Sequence, residues 1–111
     1  MSGPPIAVTP EEWGILRDIL RRHLPNREVW AFGSRASRRA KPFSDLDLAI
    51  IGETPMDDLG ALTDALCESD LPFRVDIVDW ARIDETFQRI VEAGRVIVQS
   101  SSTPLERVPT N

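Results

Sequence analysis

The sequence predicts an α/β (α+β) domain in which a small mixed β-sheet is flanked by helices. Apolar residues at helical spacing alternate along the chain with short runs of β-forming residues. Ten residues separate Ser34 from Asp45, between the first two such runs. That is short for a parallel crossover, so strands one and two are expected to be antiparallel. The next connection holds a whole helix, so strand three is expected to run parallel to strand two.

The first helix opens at "TPEEWGILRDILRRHL". Thr9 suits the N-cap, Pro10 the first helical position, and Glu12 completes a capping box. Trp13, Leu16, Leu20 and Leu24 recur at helical spacing, and Pro25 with Asn26 stops the helix. "EVWAF", residues 28–32, reads as a strand ending at Gly33. A short helical turn is expected through "SRASRRA" before Pro42 resets the chain. "SDLDLAII" is a second strand, with Leu46, Leu48 and Ile50 on one face and Asp45, Asp47 and Ala49 on the other. Thr54 and Pro55 open a second helix that carries Leu59, Leu62 and Leu66 on one side. "PFRVDIVDW" is a third strand, and "RIDETFQRIVEAG" a last helix with Ile83, Phe87, Ile90 and Val91 apolar. "RVIVQ" packs as a final strand or as an extension. Residues 1–99 are expected to form one domain, and residues 100–111 have the composition of a flexible tail.

The 111 residues suffice for one domain with a core of its own, and 41% of them are hydrophobic. Cys67 is the single cysteine and His23 the single histidine, which leaves no internal disulfide and no zinc set. With no secretory pattern at the N-terminus and no apolar run of about 18 residues, a cytoplasmic protein without membrane contact is expected. The net charge of −5 argues against direct nucleic-acid binding. Arg35, Arg38, Arg39 and Lys41 nevertheless cluster beside the acidic pair. Such a cluster is most simply a solvated face, but Arg35 is also a candidate for phosphate contact.

Asp45 and Asp47 stand side by side where a strand would otherwise bury apolar residues. Two carboxylates that close repel unless a cation lies between them, and hard oxygen ligands suit Mg²⁺. Gly33 allows close backbone approach, and Ser34 offers a hydroxyl and an amide, which together suit a phosphate. Asp76 is a third carboxylate inside a strand pattern and can face the same pocket if strand three lies beside strand two. Asp79 falls on the opposite face and reads as a strand-end residue. Trp13, Trp30 and Trp80 read as packing residues, His23 as a helix-end dipole partner and Cys67 as a buried thiol.

Gly-Ser, ten residues, Asp-x-Asp and a later strand-borne Asp make up a specific pattern. Gly-Ser-x10-Asp-x-Asp alone arises by chance in only about a few per thousand chains of this composition. With "FGSRA", "SDLDLAI" and "RVDIVDW", the chain resembles the DNA polymerase β-type nucleotidyltransferase superfamily and looks most like its minimal nucleotidyltransferase domains, over residues 11–98. Ser37 departs from the glycine that relatives often carry in the loop. The resemblance implies a polymerase β-like fold with ATP as substrate and a two-metal Mg²⁺ site. Gly33 and Ser34 would hold the triphosphate, Asp45 and Asp47 would ligate both metals, and Asp76 would bind the catalytic metal and help deprotonate the acceptor. It further implies AMP transfer to a tyrosine of a partner HEPN-domain toxin, for which the protein acts as antitoxin. Neutralisation by masking alone, or adenylylation of a small molecule of the aminoglycoside type, are the alternatives. The oligomeric state, homo- or hetero-oligomer, stays open. The 111 residues contain no tyrosine, so a tyrosine acceptor would belong to another chain.

Overall fold

In the computed structural model, residues 3–41 and 43–101 are described. Pro42 and the expected tail beyond Ser101 lie outside them. The element order is α1 (Pro10–His23), β1 (Val29–Phe32), β2 (Leu46–Ile50), α2 (Met56–Cys67), β3 (Val75–Asp79), a 3₁₀ turn (Trp80–Arg82), α3 (Glu85–Gly94) and β4 (Val96–Gln99).

Helix α1 begins as its sequence directs. Glu12 N–H donates to Thr9 Oγ1 at 3.1 Å, and Thr9 N–H donates to Glu12 Oε1 at 2.9 Å. Arg21, Arg22 and His23 occupy the last turn, where positive charge meets the negative end of the helix dipole. The strands form one sheet in the order β3-β2-β1-β4. β1 pairs antiparallel with β2 and β4, and β2 pairs parallel with β3 through the α2 crossover. β4 is therefore a sheet strand and not an extension. All four residues of β1 are buried, as expected of a strand with a neighbour on each side and cover on both faces.

Alternation along β2 divides two cores. Leu46, Leu48 and Ile50 join Leu16 and Leu20 of α1 and Leu59, Leu62 and Leu66 of α2 on one face. Ala49 joins Trp30, Phe32 and Val91 on the face covered by α3. There the Trp30 and Trp80 rings meet edge to face at 5.1 Å, and Phe32 meets Phe87 at 5.9 Å. Helices on both sides of a central sheet follow from a chain whose strands are apolar on both faces.

One local expectation is corrected, the burial of Cys67, and two local details are added. "SRASRRA" forms hydrogen-bonded turns that do not extend into a helix, held by Ser37 N–H to Gly33 O at 3.1 Å, the bond of a single helical turn, and Arg39 N–H to Ser34 O at 2.8 Å. Cys67 is exposed, because α2 ends on it and its buried stripe falls on Leu59, Leu62 and Leu66. Ile90 is 60% exposed, since α3 turns Val91 and not Ile90 toward the sheet. These positions predict contrasting stabilities. Leu48→Ala, in the middle of the sheet, is expected to lower the free energy of unfolding by about 3 kcal/mol. Cys67→Ser is expected to change it by less than about 0.5 kcal/mol. Urea denaturation of the two variants beside wild type checks both values.

Candidate functional site

The antiparallel return of β1 against β2 places the end of one strand beside the start of the other. Phe32 lies opposite Asp47 on one side, and Asp76 of β3 lies opposite Asp47 on the other. Gly33 follows Phe32 at this edge with φ +80°, a conformation that favours glycine. It also has a spatial reason to be glycine: a Cβ there would stand 2.6 Å from Asp47 Oδ2. The loop backbone and the carboxylate are thus packed against each other with no room for a side chain.

Asp47 and Asp76 are half-buried, while Asp45 immediately precedes β2 and is exposed. The first acid of the pair thus stands at the strand's entrance and not within it. Among the described residues, Asp45 and Asp47 have no side-chain hydrogen bond or ion pair. Asp76 Oδ1 accepts from Arg74 Nε at 3.0 Å. Burial holds the Asp47 carboxyl above the ordinary carboxylate value, and the neighbouring charges of Asp76 and Asp45 add to the rise. Three carboxylates gathered at one end of the sheet are hard oxygen donors of the kind that suits a divalent cation. Among the described residues, no three His, Cys, Asp or Glu side chains stand together as a ready-made cage.

Ser34 begins the turn after Gly33. Its carbonyl accepts from Arg39 N–H and from Ser37 Oγ, the latter at 3.1 Å, while its hydroxyl has no partner among the described residues. Ser37, the departure from glycine, costs the loop little: the residue with positive φ is Arg38, at 62°. Arg38 Nη2 donates to Pro4 O at 2.6 Å, which ties the loop to the N-terminal segment.

Arg35 is not part of this group. Its side chain runs into the fold, and the residue is only 6% exposed. Nε donates to Ser44 O at 2.9 Å, Nη1 donates to Ala7 O at 2.7 Å, and the guanidinium stacks 4.0 Å from the centre of the Phe73 ring. The expected phosphate contact is thus replaced by a clamp that holds together the N-terminal segment, the loop and the approach to β3. Asp79 behaves as read from the sequence: it caps the 3₁₀ turn through Ala81 N–H and pairs with Arg82. Arg74 is the residue that the sequence reading missed. It had a signal, since positions two apart in an extended chain share a face, and Arg74 stands two before Asp76.

The chain belongs to the polymerase beta nucleotidyltransferase family, whose sequence pattern matches residues 15–103. It is 45% identical over 102 residues to the probable protein adenylyltransferase MntA of Haemophilus influenzae, covering 90% of each chain. Its fold resembles a crystal structure of a toxin-antitoxin with AMP-PNP, with a TM-score of 0.66, 21% identity and coverage of 80% of this chain and 73% of that one. It also resembles the structure of a tri-AMPylated Shewanella oneidensis HEPN toxin in complex with MNT antitoxin, with a TM-score of 0.59, 17% identity and coverage of 83% and 72%. At such identities these two are likenesses of fold.

Two predictions follow from the electrostatics. In the unfolded chain the Asp47 carboxyl titrates near 3.8, and in the folded chain it titrates higher. The folded state therefore holds the proton more tightly, and stability falls as pH rises between those two values and stays lower above them. Asp47→Asn removes this dependence. The variant is expected to melt above wild type at neutral pH, and the gap should close as pH drops below 3.8. Thermal melts in metal-free buffer across a pH series check it. Arg35→Ala, by contrast, is expected to lose about 2–3 kcal/mol of unfolding free energy, from its charged hydrogen bonds and ring contact. Chemical denaturation measures that loss directly.

Proposed function

We propose that the protein is a Mg²⁺-dependent adenylyltransferase that uses ATP to place AMP on a tyrosine of a partner HEPN toxin, and so acts as its antitoxin in the cytoplasm. The observation that carries the chemical reading is the register at the sheet edge, where Asp47 stands level with Asp76 and packed against Gly33. The acceptor reading is supported by the relative named as a protein adenylyltransferase and by fold neighbours that are toxin-antitoxin complexes.

In this reading Asp45 and Asp47 hold Mg²⁺ together with the nucleotide's phosphates, and Asp76 contributes the third carboxylate. Bound there, the cation supplies charge neutralisation at the α-phosphate and lowers the proton affinity of the attacking hydroxyl. The chain's own groups do the positioning. The backbone at Gly33 comes close to the phosphates because no Cβ intervenes, and the Ser34 hydroxyl donates to a phosphate oxygen. Asp76, on the outermost strand, accepts the proton of the incoming phenol. The oxygen attacks the α-phosphorus, the bond to the β-phosphate bridge oxygen breaks, and pyrophosphate leaves on the Gly33–Ser34 side. The acceptor enters from the side of β3, in line with the departing group.

The test combines the protein with ATP, Mg²⁺ and its co-encoded HEPN protein, followed by intact mass spectrometry. Added AMP masses on the partner's tyrosine are expected. The Asp45→Asn, Asp47→Asn double variant is expected to fold and to lose transfer by about 10³-fold or more. A partner that is inhibited while its mass stays unchanged would replace transfer by masking.

A further inference from the structure

We propose that Arg74 is a counter-ion latch on Asp76, holding the outermost carboxylate of the site and competing with the divalent cation for it. The inference rests on the reading of Asp45, Asp47 and Asp76 as metal ligands. The three acids differ in their surroundings. Asp45 is exposed to water. Asp47 is half-buried and pressed against Gly33. Asp76 has a guanidinium, Arg74 Nε at 3.0 Å from Oδ1. Among the described residues this is the one ion pair made by any of the three.

The backbone of Arg74 is tied down and its side chain is not. Leu46 N–H donates to Arg74 O at 2.9 Å, which extends the β2–β3 ladder one residue before β3 begins. Arg74 and Asp76 therefore sit on the same side of an extended segment, and their pairing needs no rearrangement. The Arg74 side chain is 75% exposed and that of Asp76 39%. Exposed pairs of this kind are weak, so the latch holds a lone carboxylate yet yields to a divalent ion arriving beside Asp45 and Asp47. Asp76 is thus the acid that a cation gains only by displacing Arg74.

The latch is tested with Mn²⁺ alone, followed by electron paramagnetic resonance on the full chain without nucleotide. Arg74→Gln is expected to tighten the Mn²⁺ dissociation constant by about two- to fivefold, with an unchanged melting temperature. Arg74→Lys, which keeps the charge, is expected to return it toward wild type. Arg82→Gln removes the same formal charge at the other end of β3, where Arg82 pairs with Asp79, and is expected to leave Mn²⁺ binding as it was. An unchanged or weakened affinity in Arg74→Gln overturns the latch, and so does equal tightening in both glutamine variants. If wild type and Arg74→Gln alike fail to bind Mn²⁺ saturably, the metal reading falls and the latch falls with it.

Discussion

The site depends on one pairing, that of β1 with β2 in the register that sets Phe32 opposite Asp47. Because the two strands run antiparallel, the chain leaves β1 where it enters β2. Gly33 and Ser34 are thereby delivered to the acid pair, although ten residues separate Ser34 from Asp45. A shift of one residue would reverse every side chain of β2, sending Asp47 into the core of Leu46, Leu48 and Ile50 and those residues toward α3. The apolar alternation that builds the core is thus the same constraint that presents the carboxylate.

The parallel pairing of β2 with β3 completes the edge. Asp76 is held level with Asp47 by the ladder, and α2 supplies the crossover that parallel strands require. The two carboxylates are consequently fixed by the backbone hydrogen bonds of the ladder and by the packing of Leu59, Leu62 and Leu66 beneath it. Ser34 has a hydroxyl without a partner among the described residues, and the exposed side chain of Arg74 pairs with Asp76 from outside the sheet.

The arginines show how position in the fold overrides residue type. Arg35 and Arg74 both lie within reach of the acidic edge in the sequence, and both carry a guanidinium suited to phosphate or carboxylate. One is drawn under the loop to satisfy the carbonyls of Ala7 and Ser44 and to stack on Phe73. The other stays in water and meets Asp76. A buried guanidinium needs fixed acceptors, and the carbonyls of Ala7 and Ser44 supply them to Arg35.

Much of the fold was legible because it rests on local chemistry. The capping box of Thr9 and Glu12, the leucine stripe of α2 and the alternation through Leu46–Ile50 are short-range patterns with one physical solution each. The short connection after Gly33 settled the antiparallel return, and the acids at Asp45, Asp47 and Asp76 stood out because carboxylates do not belong in apolar strands. The side-chain destinations were not legible in that way. Whether Arg35 faced a phosphate or a carbonyl depended on Ala7, far away in sequence. Whether Cys67 was buried depended on where α2 stopped against the sheet. The pairing of Arg74 with Asp76 needed the strand's extended geometry and its place at the sheet's edge. The sequence by itself determined the periodicities, caps and acidic motif, since these arise from neighbours along the chain. Tertiary structure alone decided which charges meet and which thiol reaches water, because burial and ion pairing are properties of surfaces brought together from distant segments.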